Sequence, residues 1–277
     1  MDISRAIVTL WYVTTDSPAD VLAAEPKADR GFGRKYLAQL NPNFPVTPIG
    51  QFPLNRSVEA DIAEFYIGGY PGVTVVQTVV VEEGVMLSQL SPLLLEAIPA
   101  RELYAFALNE EEGYAGFAHW QDGELKRSLC GTRFGLLEDI GLPEGFEGPY
   151  WAGERNPDLG GISLHFEPRD LMDEAQRRWL GISIDAEGPD LDVVGYAVDG
   201  RPEPKVDELP DSTRSVGELA TTSAGKLGLH DYDDYEDHSA GDTSTGEEIV
   251  RTTKKLGRLV GSWISQTSQS LKERWRS

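Results

Sequence analysis

Residues 73–81 read VTVVQTVVV, and every one of them except Gln77 is β-branched. A side chain branched at Cβ is stiff about its first torsion and packs well on a pleated surface, so the run predicts a strand. Apolar residues continue through it with almost no alternation, which predicts a central strand covered on both faces. Such a sheet needs other layers against it, so helices are expected to pack on it.

On the N-terminal side, residues 6–13 (AIVTLWYV) have the same character and predict a second buried strand. Asp16-Ser17-Pro18 then opens a short helix to about Ala24, with Ser17 placed to cap it and Pro18 suited to its first turn. A second helix is expected over 33–40, ending at Asn41-Pro42. The proline-rich stretch 43–54 reads as an ordered but irregular crossover.

On the C-terminal side, 88–97 reads as a helix with Pro92 near its first turn, and 102–108 as a strand. Residues 114–121 and 124–130 flank Asp122-Gly123, a dipeptide that tolerates positive φ at both turn positions and predicts a two-residue hairpin. In that register Trp120 faces Leu125 and His119 faces Lys126, so His119 reads as a strand-surface residue rather than a catalytic one. Cys130, the only cysteine, reads as a buried strand residue rather than a nucleophile. Residues 168–180 predict an amphipathic helix started by Pro168 and stopped by Gly181. Leu171, Ala175 and Trp179 share its apolar stripe with Met172 and Leu180. Residues 182–198 are expected to add an edge strand or two. The fold class is α/β, with α+β as the variant: a central mixed β-sheet with helices packed on it, plus a separate C-terminal amphipathic helix.

The charge is unevenly placed along the 277 residues, which carry −21 in all. Residues 1–198 hold 14 basic and 31 acidic side chains, 199–248 hold 4 and 14, and 249–277 hold 7 and 1. The first part, the expected globular domain, repels phosphate backbones and is a poor nucleic-acid binder. One cysteine permits no internal disulfide and fits a reducing cytoplasm. The N-terminus lacks a signal-peptide pattern, and no window approaches the ~18 apolar residues of a membrane span.

Residues 134–154, FGLLEDIGLPEGFEGPYWAGE, concentrate carboxylates among aromatics, glycine and proline. A paired-carboxylate hydrolase needs two carboxyls about 5–9 Å apart across a cleft. Glu138 and Asp139 are adjacent, so on a strand they point to opposite faces and cannot form that pair together. Glu147 or Glu154 would have to supply the second group. The plainer expectation is a buckle: Gly and Pro set the turns, aromatics cover the sheet, and the carboxylates pair with Arg127, Arg133 or Arg155.

The same region carries a resemblance. Trp120-Gln121-Asp122-Gly123, Arg127-Ser128-Leu129, Glu138-Asp139-Ile140-Gly141, Pro143, Phe146-Glu147 and Pro149-Tyr150-Trp151-Ala152-Gly153-Glu154 resemble the signature of an actinobacterial domain of unknown function. His165-Phe166-Glu167-Pro168 and the helix after it are similar to that family's next segment. The resemblance covers about residues 5–185 and implies a cytoplasmic α/β domain with no assigned activity, so it transfers no catalytic residue.

Other patterns are weaker. Gly31-Phe32-Gly33-Arg34-Lys35 lies at a helix start but lacks the spacing of a phosphate loop. His230 and His238 flank an acidic tract whose spacing matches no rigid metal site. No cofactor or metal is expected.

Residues 199–246 are expected to be a disordered acidic linker. In 247–277, Ile249, Thr253, Leu256, Val260, Trp263, Thr267, Leu271 and Trp275 recur at spacings of three and four, with Ile264 nearby. Arg251, Lys254, Lys255, Arg258, Lys272 and Arg276 fall on the opposite side of the wheel. An apolar stripe with tryptophan and a basic far face suits an anionic membrane surface. Its heptad spacing also suits a partner protein helix, and docking on the chain's own acidic domain is a third use. Two functions fit these patterns. One is a non-enzymatic binding or scaffold module recruited through this tail. The other is a hydrolase-like enzyme using Glu138, Asp139, Glu147 and Glu154.

Overall fold

The computed structural model describes residues 3–155 and 163–204. In chain order the strands are β1 (Ala6–Val13), β2 (Thr47–Pro53), β3 (Glu64–Tyr70), β4 (Val73–Val80), β5 (Glu102–Asn109), β6 (Tyr114–Gln121), β7 (Glu124–Thr132), β8 (Gly135–Gly141) and β9 (Asp192–Ala197). The helices are α1 (Pro18–Ala23), α2 (Arg30–Leu40), α3 (Pro92–Leu95), α4 (Gly148–Trp151) and α5 (Pro168–Leu180).

The strands form one sheet in the order β2-β9-β3-β4-β1-β5-β6-β7-β8. Helices pack on it, as the fold class requires, but every pairing is antiparallel rather than mixed. The reason is local. Tight turns join β3 to β4, β5 to β6, β6 to β7 and β7 to β8, and a strand that returns through a tight turn can only run antiparallel. The β-branched run of β4 lies between β3 and β1 and is buried on both faces, and β1 lies beside it at the centre.

Ser17 precedes α1 but its side chain makes no capping bond, and several longer segments also depart from expectation. The stretch expected to be an irregular crossover contains β2, an edge strand with a bulge between Pro48 and Gly50. An edge tolerates proline because one side of the strand needs no N–H donor. Strand β9 is not at the edge: it inserts between β2 and β3, and all six of its residues are buried. The helix expected over 88–97 is instead a 3-10 turn (Leu87–Gln89) and the single turn α3, separated by extended backbone at Leu90 and Ser91. Pro92 disfavours helical backbone in the residue before it, and the Ser91 hydroxyl accepts a hydrogen bond from Leu93 N–H to start the new turn.

On one sheet face lie α2, the 3-10 turn and α3, where the Tyr12 hydroxyl bonds to Tyr36 and to the Leu94 carbonyl. On the other lies α5. Gly181 ends it at φ 73°, as expected, and Leu171, Ala175 and Leu180 are fully buried. Trp179 reaches over β5 and β6, stacked on Tyr104 and close to Phe106 and Phe117.

The described chain continues to residue 204, where Arg201 pairs with Asp199 and Glu64. The rest of the expected linker, and the whole expected tail helix, lie outside the described residues. Among the described residues no helix is long and apolar enough to cross a membrane.

Candidate functional site

The hairpin turn forms as expected, with Asp122 at φ 52° and Gly123 at φ 80°. Trp120 stands opposite Leu125, but opposite His119 stands Arg127 rather than Lys126. The pairing shifts by one residue between His119 and Trp120, a β-bulge with Lys126 as the extra residue. Lys126 turns to Glu124 in solvent, and Arg127 is thereby aimed into the α5 face. Gly141 accommodates the bulge from the next strand. Its φ is +85°, and a Cβ there would lie 2.0 Å from the Lys126 carbonyl oxygen.

Arg127 is 1% exposed and Glu147 is 0% exposed. Arg127 Nε and Nη2 donate to the two Glu147 oxygens at 2.9 and 2.8 Å, the bidentate geometry that suits a guanidinium. Arg127 Nη1 donates to Asp139 at 2.5 Å and to the Ile140 carbonyl at 3.0 Å. Glu147 also accepts from Glu144 N–H at 2.9 Å and from Trp151 Nε1 at 3.1 Å. Burial opposes the Arg127 charge, but the Glu147 and Asp139 carboxylates outweigh it and raise its pKa. The stretch 134–154 is therefore clasped to the hairpin by a buried cation bonded through all three of its nitrogens.

Glu138 points through the sheet to the opposite face, as alternation predicts. There it accepts from Ser88 N–H at 3.2 Å and from the hydroxyls of Ser88 and Ser128, with the Cys130 thiol at 3.8 Å. Burial above all pushes the Cys130 thiol up to about 12, so it stays protonated and unreactive near neutral pH. Glu154 is exposed beyond α4. The four candidate carboxylates thus do not converge: Glu147 and Asp139 meet on Arg127, Glu138 lies across the sheet, and Glu154 faces solvent. The other two arginines take other partners. Arg133 lies 3.5 Å from Glu167, and Arg155 sits 5.5 Å over the Tyr150 ring.

His119 is less of a surface residue than its strand position suggests, with a side chain 16% exposed. Its Nε2 lies 2.7 Å from Glu102, and its Nδ1 lies 3.7 Å from Glu144, an ion-pair distance rather than a hydrogen bond. Glu144 in turn accepts from Trp179 Nε1 at 3.1 Å. Burial opposes protonation of His119, yet Glu144 and Glu102 outweigh it and raise its pKa. The ring ties β5, the segment before α4 and α5 together.

The Gly31–Lys35 pattern is a plain helix start: Asp29 caps α2 by accepting from Gly31 N–H at 2.8 Å. Gly33 is needed for packing, since a Cβ there would meet the Tyr196 ring at 2.4 Å. No group of His, Cys, Asp and Glu among the described residues could hold a metal ion. His230, His238 and the tail positions 251–275 lie outside those residues.

One feature escaped the sequence reading. Val79, Ile7 and Leu108 stand side by side on the central strands β4, β1 and β5, each half-buried. They floor a cleft of about 380 Å³ on the α5 face. Glu59 and Asp61 line one part of its rim, and Glu110 and Glu111 another. Val58, at the same rim, is 87% exposed. The local signals were the isolated Val58 in a polar stretch and the run Glu110-Glu111-Glu112. Neither indicates which strands lie between them.

The chain matches the model of a family of unknown function, DUF6928, over residues 7–196. That span is more than half of the chain, and the chain belongs to this family. No curated protein and no solved structure matches it.

Proposed function

We propose that this member of a family of unknown function is a non-enzymatic binding or scaffold module, recruited to an anionic membrane surface by residues 247–277. The observation that carries it is the Arg127 clasp. Acid–base hydrolysis needs two carboxyls facing one cleft, one of them ready to give or take a proton. Here Glu147 and Asp139 hold a buried arginine, and Glu138 is enclosed by hydroxyls on the other side of the sheet. A hydrolase-like activity would need at least two of these groups released into a shared opening.

Recruitment draws its support from charge. Residues 249–277 hold 7 basic and 1 acidic side chains, against 14 and 31 in residues 1–198. Each basic residue near an anionic surface contributes about 1 kcal/mol, so this segment has up to about 6 kcal/mol before the cost of ordering it. The field of the acidic body is screened over about 8 Å, and the 50 residues 199–248 are enough chain to carry 249–277 beyond that range. Placement would be peripheral, at the inner face of the membrane.

Sedimentation with vesicles tests the proposal. The full chain should pellet with anionic vesicles and not with neutral ones, while a chain ending at Ser239 should stay in solution. Equal pelleting of both chains ends the membrane reading. Capture of a protein partner that needs residues 246–277 and no lipid would assign the tail to a partner helix instead.

A further inference from the structure

We infer that the cleft floored by Ile7, Val79 and Leu108 is a docking site for the chain's own basic tail, residues 247–277. Resting on the recruitment reading above, this makes the tail a latch that the cleft and the anionic surface compete for.

The chemistry of the cleft suits a basic segment with an apolar stripe. Its floor is an apolar row running across three central strands, in register at Ile7–Val79 and Ile7–Leu108. Further along the same face, Trp179 of α5 covers the sheet. Exposed Val58 extends the apolar surface at the rim. The carboxylates of Glu59, Asp61, Glu110 and Glu111 stand around it. Two arginines, Arg5 and Arg169, already pair with Glu111 and Glu110. Even so, burial and then the neighbouring Glu110 raise the Glu59 pKa against the pull of Arg169, so further positive charge is favoured there. Leu256, Val260 and Trp263 would supply the apolar stripe, with Lys254, Lys255 and Arg258 for the rim.

The path of the chain makes the encounter local. Val198 N–H bonds to the Ala63 carbonyl at 2.9 Å, and Arg201 bonds to Glu64 at 2.6 Å. The described chain therefore leaves the body beside residues 58–62, which line the cleft. A flexible chain of as many residues as 205–246 spans roughly 35 Å, so that stretch is long enough to bring residues 247–277 back to the cleft. A tether of this kind holds the tail at an effective concentration on the order of millimolar. The acidic linker also attracts the tail, and what the cleft adds is its apolar floor.

The test uses the full chain. Amide spectra of the natural sequence are compared with those of a tail variant carrying Lys254→Glu, Lys255→Glu and Arg258→Glu. Docking predicts shifts at Ile7, Val79, 58–62 and 108–111. A cleft variant, Val58→Lys with Glu111→Lys, changes two exposed side chains and should abolish those tail-dependent shifts. A tail docked nine-tenths of the time binds a surface about tenfold more weakly than a free one. The cleft variant should accordingly bind anionic vesicles about tenfold more tightly. The same pair placed in the tail variant reports any direct effect of the added lysines. Unchanged cleft amides, or changes confined to residues 205–246, overturn docking whether or not vesicles are bound. Cleft shifts without vesicle binding leave docking standing and remove the membrane reading. Shifts that grow with protein concentration assign the tail to a neighbouring copy and overturn the latch.

Discussion

Two groups of carboxylates on the α5 face of the sheet have opposite fates. Around Arg127, Glu147 and Asp139 close on a buried guanidinium, and Glu147 has no exposed surface. Around Ile7, the carboxylates of Glu110 and Glu111 stand in solvent beside an apolar floor. The first group holds the fold together, and the second meets two partly exposed arginines, Arg5 and Arg169, beside a half-buried apolar floor. Acidic richness alone does not separate the two. Burial does, because a buried charge must be paired whereas an exposed one is screened by water.

The contrast is broken most directly at the clasp. Arg127→Met strands the Glu147 charge in the interior and should cost about 3–5 kcal/mol in urea unfolding. Adding Glu147→Gln to that variant should recover much of the loss, because the unpaired charge goes with it. If Arg127→Met unfolds at the same urea concentration as the natural chain, the clasp is not structural. Next in size is Gly141→Ala, which combines a left-handed φ with a Cβ driven onto the Lys126 carbonyl. Its expected cost is about 1–3 kcal/mol in thermal unfolding, and Gly145→Ala, with open space around it, serves as the control.

His119 sharpens the comparison through pH. Its pKa is raised in the folded state by Glu144 and Glu102 against burial. The stability it contributes is therefore fully present below its unfolded pKa of about 6.5 and is lost as pH rises through the higher folded value. The stability difference between the natural chain and His119→Gln should be largest in mild acid and shrink above neutrality. A difference that stays flat across that window would show that the imidazole is not charged in this setting. The smallest effect belongs to the cleft: Glu110→Gln and Val58→Ser, both exposed, should each change stability by no more than about 0.5 kcal/mol.

Legibility followed the range of the interactions. Strands β1 and β4, the Asp122-Gly123 turn and α5 with its Pro168 and Gly181 ends were readable because residues within a few positions of each other decide them. Strand β3 gives a weak local signal because Gly68 and Gly69 depress strand propensity. Both are required by packing, since a Cβ on Gly69 would meet Phe32 at 2.7 Å and one on Gly68 the Tyr70 hydroxyl at 2.5 Å. The clasp was half legible. Arg127 stood among the arginines expected to pair with the loop carboxylates, but a hairpin register without the bulge put Lys126 in its place opposite His119.

Local order in the chain determined a central sheet with helices packed on it, a hairpin at 122–123, and a change of charge sign from residues 1–198 to residues 249–277. Only the tertiary structure decided that β9 would insert between β2 and β3, that Arg127 would meet Glu147, and that Val79, Ile7 and Leu108 would form one row. Each of those is a pairing between residues far apart in sequence. Such pairings are selected by the burial of whole faces and the matching of charges, quantities that no short window of residues contains.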